Sequence, residues 1–322
     1  MKAVRITEPG GPEVMKVEEM PTPTPQAGQL LVRVEAAGVN YIDTYQRSGQ
    51  YKVPLPYTMG LEGAGTIEAV GDGVTGMAKG ARVAWTNVPG AYATHALVPA
   101  DKVVPLPAGI TSHQGTAAML QGMTAHYLAH TTFPLRRGDS CLVHAGAGGV
   151  GLLLTQMAKR AGARVFTTVS TDEKARLSKE AGADEVIRYT QEDFKDAVRR
   201  MTDGKGVRVV YDSVGKDTFE KSLDCLAARG LLALFGQSSG AVAPFDAQVL
   251  AAKGSLFFTR PTLGHYIATR DELLARANDV FAWIGDGSLK IRIGATFPLA
   301  EAARAHTELQ ARRTTGKVLL LP

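Results

Sequence analysis

Cysteine is scarce: Cys141 and Cys225 are the only two in 322 residues, which excludes a disulfide framework and a four-cysteine zinc lobe. One falls in an apolar strand-like run and the other in a helical one, so both are expected as buried free thiols. Aromatic residues make up only 7% of the chain and no basic stripe interleaves with them, so a nucleic-acid surface is not expected. No run of about 18 apolar residues occurs. The amino-terminal stretch MKAVRITEPGGPEVMKVEEM lacks a signal-peptide core. These absences predict no membrane span and a cytoplasmic location. Internal repeats, low-complexity tracts, a Ser-His-Asp arrangement and paired catalytic carboxylates are missing too.

What is present suits a globular protein of two domains, at roughly 100–200 residues per domain. Hydrophobic residues supply 45% and charged residues 21%, and 36 basic against 31 acidic side chains leave a net charge of +5. That mild excess favours an anionic small molecule. The most informative stretch runs from Cys141 to Lys159, CLVHAGAGGVGLLLTQMAK. Cys141 to Ala145 reads as a strand buried on both faces. Gly146-Ala147-Gly148-Gly149-Val150-Gly151 reads as a turn, and Leu152 to Lys159 as a helix. The spacing G-x-G-x-x-G gives a tight turn at Gly146, close phosphate approach at Gly148, and close helix–strand packing at Gly151. A strand before it and a helix after it are the context a dinucleotide site needs.

Around this stretch the rhythm changes twice. Before about residue 120 the chain shows short strands (Lys2 to Thr7, Leu30 to Ala36, Glu62 to Val70, Ala81 to Trp85) separated by turns and a proline-rich connector, Met20 to Gln26. This predicts a compact antiparallel barrel or sandwich. Helical spacing begins near 111–130, and strands then alternate with helices. The strands are Cys141 to Ala145, Arg164 to Val169, Glu185 to Arg188, Val207 to Asp212, Leu231 to Phe235 and Ser255 to Thr259. The helices are one capped by Thr171 or Asp172 and running toward Glu180, one begun by Thr190 with Asp193 three residues on, and one near Asp217 to Ala228. Six strands in this rhythm predict a doubly wound parallel sheet. The tail, with a helix near Asp271 to Ile284, strands at Ile291 to Ile293 and Lys317 to Leu321, and a helix around Ala300 to Gln310, returns to the first style. The predicted domains are therefore 1–122 with 266–322, and 123–265.

Five segments carry a resemblance to a known family: GVNYIDTYQRSG from Gly38, GLEGAG from Gly60, AGAGGVG from Ala145, YDSVG from Tyr211 and FGQSSG from Phe235. In order and over the whole chain, ending in Thr315-Gly316-Lys317, the sequence resembles the zinc-free quinone oxidoreductase branch of the medium-chain dehydrogenase/reductase superfamily. The resemblance implies an α/β fold, a GroES-like β-barrel domain plus a Rossmann domain with a six-stranded sheet, with the active site between them. It also implies an NADPH-dependent reduction of quinones by hydride transfer. Zinc enzymes of this superfamily place a cysteine near the Gly38 segment and a histidine before the glutamate of the Gly60 segment. Here Asn40 and Leu61 stand there, and neither is a credible ligand. His126 and His130 are at helical i,i+4 spacing but have no third ligand in sequence, so no metal is expected.

Residue types decide between the nicotinamide cofactors. The second strand of the alternating region ends Thr168-Val169-Ser170-Thr171, with Lys174 following, where an NAD enzyme usually carries an acid. Hydroxyls and a cation suit the 2′-phosphate of NADPH. Asp172 is read as a helix cap. The resemblance adds Tyr189 beside Lys174 in the adenosine-phosphate pocket. Cofactor contacts are further expected from Gly146, Gly148, Gly149, Val150, Ser213 and Val214. For the nicotinamide end it implies Asn40, Asp43, Tyr45 and Tyr51 in the first domain. Thr124, Phe235, Gly236, Ser238, Phe258, Thr259 and Arg260 would serve it from the second. Arg312 and Lys317 are open to two readings, a cofactor phosphate or a solvated tail. Asp43 or Glu62 is available as a general acid, although Glu62 could equally bind backbone N–H groups. An enone C=C reductase is the neighbouring alternative, and a crystallin-like or RNA-binding protein that keeps the cofactor fold is a more distant one. A homodimer through Rossmann edge strands completes what the resemblance implies.

Overall fold

The start of the chain forms β1 (Lys2–Ile6), with Ala3, Val4 and Ile6 buried. The computed structural model describes residues 1–322 and divides into two units, residues 1–123 with 267–322, and residues 124–266. After β1 come β2 (Lys16–Glu19), β3 (Gln29–Val39), α1 (Tyr41–Arg47), β4 (Tyr57–Thr58) and β5 (Glu62–Val70). Then follow β6 (Arg82–Thr86), β7 (His95–Pro99), β8 (Val103–Pro105) and α2 (Ser112–Tyr127). The second unit alternates: β9 (Ser140–Val143), α3 (Gly149–Arg160), β10 (Arg164–Val169), α4 (Asp172–Glu180), β11 (Glu185–Arg188) and α5 (Phe194–Met201). It continues with β12 (Val207–Asp212), α6 (Phe219–Asp224), β13 (Leu226–Leu234), α7 (Gln248–Ala252), β14 (Phe257–Thr259) and α8 (Leu263–Tyr266). The chain returns to the first unit through α9 (Arg270–Gly285), β15 (Ile293–Pro298), α10 (Ala302–Gln310) and β16 (Lys317–Leu321).

In the first unit a seven-stranded sheet has the order β15-β16-β3-β5-β6-β8, with β7 also pairing β3, and a three-stranded sheet has the order β2-β1-β4. The long strand β3 is central because it pairs antiparallel with β5, β7 and β16. Trp85, Tyr92, Met59 and Ile67 fill the core. In the second unit all six strands are parallel, in the order β11-β10-β9-β12-β13-β14. Numbered within the sheet this is 3-2-1-4-5-6, so the order reverses between β9 and β12, and the crevice beyond their carboxyl ends is the expected ligand position. Leu142, Phe166, Ile187, Val210 and Leu232 make its core. No helix is long and apolar enough to cross a membrane.

Four sequence expectations shift, and one helix, α1, was not expected. The helix expected to reach Ala228 stops at Asp224, because the chain has already turned and Leu226 pairs with Val207 in the sheet. Asp193 is itself the N-cap of α5 and accepts from Lys195 N at 2.9 Å, so that helix starts later than Thr190. The strand expected at 291–293 lies at Ile293–Pro298, where a glycine and a proline blur the alternation. Helix α1 gave no apolar period because its buried residues are Asp43, Thr44, Tyr45 and Arg47. The cap of α4 is Thr171 rather than Asp172.

Candidate functional site

Beyond β9 the chain reaches Ala145, which has a φ of +54°, and turns into α3. A Cβ on Gly151 would meet the Ala145 carbonyl oxygen, so only glycine fits there. The N-cap of α3 is Gly148, with no side-chain cap and no acidic residue in the first turn. By contrast α4 and α5 are capped by the side chains of Thr171 and Asp193. The first-turn N–H groups of α3, at Gly149 and Val150 among others, are thus left without a side-chain acceptor at the positive end of a twelve-residue helix. This is a cradle for an anion, and it fits the pyrophosphate of a dinucleotide.

From His144, just before this turn, runs a polar chain that sequence reasoning missed. The Thr168 hydroxyl contacts His144 Nδ1 at 2.9 Å, His144 Nε2 contacts Ser222 Oγ at 3.0 Å, and Ser222 Oγ donates to Asp212 Oδ2 at 3.0 Å. Because the Ser222 proton goes to Asp212, the network assigns the Nε2–H tautomer to His144, with Nδ1 accepting from Thr168. Burial lowers the pKa of His144, in keeping with a neutral ring. Asp212 also accepts from Thr218 Oγ1 at 2.7 Å, Val214 N at 2.7 Å and Gly215 N at 3.1 Å. The glycine turn, which starts two residues after His144, is thereby tied to the Ser213–Val214 loop. That loop is tied in turn to the next one, since Phe235 N donates to Asp212 O at 2.8 Å and Ser238 N to Ser213 O at 3.2 Å. Phe235, Gly236, Phe258 and Thr259 sit half-buried at the carboxyl ends of β13 and β14, and Arg260 is exposed.

The residues expected around a 2′-phosphate gather at one corner. Lys174 Nζ reaches Ser170 Oγ at 3.4 Å, and the Thr171 hydroxyl accepts from Lys174 N at 3.3 Å. Tyr189 N donates to Val169 O at 3.1 Å, and the Tyr189 side chain is exposed. Asp172 pairs with Arg188 at the end of β11. Elsewhere in this unit Thr124 is buried, and the rings of His126 and His130 lie 4.7 Å apart. No group of three or more His, Cys, Asp or Glu that could hold a metal ion is present.

In the first unit, Asn40 is the N-cap of α1 and its amide is fully engaged. Its Nδ2 donates to Glu62 Oε2 at 2.9 Å, and its Oδ1 accepts from Lys317 Nζ at 2.9 Å and Gln121 Nε2 at 3.2 Å. Lys317 also pairs with Glu62, and both side chains are essentially without solvent exposure. Lys317 is therefore neither a solvated tail cation nor a ligand for a phosphate; its charge is spent on Glu62. Glu62 is a structural acceptor as well, taking the Leu120 N–H at 2.5 Å. Gly38 makes the room, since a Cβ there would collide with Glu62. Asp43 is fully buried, accepting from Asn40 N at 2.8 Å and from the Tyr92 hydroxyl at 2.9 Å. Burial raises its pKa to about 7, opposed by those hydrogen bonds. Through these bonds Asp43 is tied to the start of α1 at Asn40 and to Tyr92. Tyr92 OH contacts His306 Nε2 at 3.1 Å, and Arg47 contacts His306 Nδ1 at 3.1 Å. Tyr45 is nearly buried, whereas Tyr51, edge-on to it with ring centroids 5.3 Å apart, is exposed. Arg312 is exposed in a left-handed turn after α10.

Comparison with known proteins agrees with this architecture. Residues 26–108 match the alcohol dehydrogenase GroES-like domain family, and residues 149–275 match the zinc-binding dehydrogenase family. A quinone oxidoreductase of Pseudomonas aeruginosa is 49% identical over 100% of this chain and 99% of its own. The structure of Escherichia coli quinone oxidoreductase complexed with NADPH superposes with a TM-score of 0.98 at 43% identity, covering 100% of both chains. A 2-haloacrylate reductase of a Burkholderia species is 43% identical over 99% of this chain and 98% of its own. The GroES-like and Rossmann units define the medium-chain dehydrogenase/reductase class. Within that class, the chain belongs to the quinone oxidoreductase family.

Proposed function

We propose that this protein is an NADPH-dependent oxidoreductase that reduces quinones by direct hydride transfer without zinc. The observation that carries the reading is the α3 start, an uncapped and acid-free helix terminus behind a glycine turn at the reversal point of a parallel sheet. Its N–H groups would hold the cofactor pyrophosphate, with Ser213 and Val214 alongside, while Ser170, Thr171, Lys174 and Tyr189 would hold the 2′-phosphate. Bound NADPH supplies a hydride, and the quinone takes up that hydride and one solvent proton to become a hydroquinone. This chemistry asks little of acid–base groups, in keeping with the burial of Asp43 and Glu62. Asn40 and Asp43 act as positioning residues for α1, and Tyr51 offers an exposed ring beside Tyr45 for a flat acceptor. Phe235, Gly236, Ser238, Phe258 and Thr259 are proposed for the nicotinamide end. Asn40 and Leu61 at the positions where zinc enzymes carry Cys and His support a metal-free reaction.

The test is NADPH oxidation with 1,4-benzoquinone, NADH in a paired tube and a chelator in a third. Oxidation of NADPH in strong preference to NADH, unchanged by chelator, is expected. Loss of activity with chelator, or an NADH preference, would overturn the reading. A second substrate reading, reduction of a conjugated C=C bond, is favoured by the 43% identity to a 2-haloacrylate reductase; 2-haloacrylate in the same assay separates the two. We also propose a cytoplasmic homodimer, supported by edge strand β14, where Phe257 is 61% exposed. Light scattering should give twice the 34.1 kDa chain mass, and Phe257→Lys should shift it toward monomer. A wild-type protein that stays monomeric at micromolar concentration would remove the dimer.

A further inference from the structure

The corner formed by β10, α4 and β11 contains a charge arrangement that the cofactor assignment does not use. Two carboxylates, Asp172 and Glu173, stand in the first turn of α4, next to the hydroxyls and cation proposed for a 2′-phosphate. A carboxylate at the end of a second Rossmann strand ordinarily repels that phosphate and selects NAD. Here Asp172 is not left alone. Arg188, the last residue of the neighbouring parallel strand, lies in register with Val169 and sends Nη1 to Asp172 Oδ1. The residues after it close the same corner, since Tyr189 N donates to Val169 O at 3.1 Å and Thr190 Oγ1 to Ser170 O at 3.1 Å. Lys174 Nζ instead reaches Ser170 Oγ at 3.4 Å.

We propose that Arg188 is a specificity-determining residue that acts through Asp172, neutralising the carboxylate nearest the adenosine corner so that a 2′-phosphate is accepted there. The proposal rests on the reading of this corner as the 2′-phosphate pocket. The side chain of Asp172 is 84% exposed and that of Arg188 34%, so the pair adds little to folding. Its effect is on a third charge. An unpaired carboxylate within a Debye length of a phosphate, roughly 8 Å at physiological ionic strength, weakens binding by about three- to tenfold, less at high salt.

The experiment is calorimetric binding of adenosine 2′,5′-bisphosphate and of ADP, without turnover, to the wild type, Arg188→Met, Arg188→Met/Asp172→Asn and Lys174→Met. Arg188→Met should weaken the 2′-phosphorylated probe about three- to tenfold, with ADP nearly unchanged, and the loss should shrink as salt is raised. Adding Asp172→Asn should return the affinity to within about twofold of wild type. If the double variant stays weak, Arg188 grips the phosphate itself and the proposal is wrong. If Arg188→Met changes nothing while Lys174→Met weakens the 2′-phosphorylated probe, the pocket stands and Arg188 has no part in it. If neither variant discriminates between the probes, the pocket reading fails and takes the proposal with it. Thermal unfolding midpoints of all four proteins identify any variant that fails to fold, and Arg188→Gln then replaces Arg188→Met.

Discussion

In the first unit one buried network is built on charged side chains, Lys317, Glu62, Asp43 and Arg47, linked through Asn40, Tyr92 and His306. In the second, one carboxylate, Asp212, is surrounded by hydroxyls, backbone N–H groups and an imidazole. Each network contains one buried histidine whose partners call for the Nε2–H tautomer, His306 between Tyr92 and Arg47, His144 between Ser222 and Thr168. The comparison separates two uses of buried polarity. Around Asp212 every proton has a place, and the product is a fixed spacing between two loops at the sheet's carboxyl edge. Around Lys317 one ion pair, with Glu62, offsets the cost of burying charge, and one carboxylate oxygen, Asp43 Oδ1, has no hydrogen-bond partner. Loss of one charged partner should therefore cost most in the Lys317 network, whereas the hydroxyls around Asp212 should each cost less.

The largest effect should follow Lys317→Met. It leaves Glu62 as a buried uncompensated carboxylate, at a cost of about 3–5 kcal/mol in urea unfolding, and Glu62→Leu on top should recover much of it. A loss under about 1 kcal/mol would mean that the two units do not differ in this way. In the second unit Asp212→Ala leaves three donors, Val214 N, Gly215 N and Ser222 Oγ, without their acceptor and should cost about 3 kcal/mol, together with weaker NADPH binding. Ser222→Ala should cost only about 1 kcal/mol.

A pH series sharpens the contrast further. Asp43 has a folded pKa of about 7 against an ordinary 3.8, so the folded state holds its proton more tightly and stability should fall as pH rises between those values. His306 has a folded pKa of about 3 against 6.5, lowered by burial and by Arg47. The unfolded state binds more protons in that window, so stability should rise with pH. The two slopes oppose each other over their shared range and should largely cancel in the wild type. His306→Gln should reveal the falling slope and Asp43→Asn the rising one, read as urea midpoints from pH 4.5 to 7. Parallel profiles for the wild type and both variants would show that neither group titrates as its burial requires.

Much of the fold was legible. The strands Glu62–Val70, Arg164–Val169, Glu185–Arg188 and Val207–Asp212 appear where apolar alternation or an apolar run puts them. The glycine turn was legible because its backbone geometry demands glycine itself. The networks were not, because their partners are far apart in sequence: Lys317 meets a glutamate 255 positions away, and His144 a serine 78 positions away. A lysine five positions before the last residue reads as a solvated or phosphate-binding cation until β16 is seen to pair with β3 beside Gly38. Helix α1 stayed hidden for a related reason. It buries polar groups that the network satisfies, which a hydrophobic pattern does not reveal.

The most direct test of the account is a single-turnover reaction of the enzyme with 1,4-benzoquinone and NADPH deuterated at C4 on the transferred face. Direct hydride transfer predicts a slower burst with the labelled cofactor than with unlabelled NADPH, and no semiquinone signal by electron paramagnetic resonance. Equal burst rates together with a semiquinone signal would contradict it, since the electrons would then move one at a time.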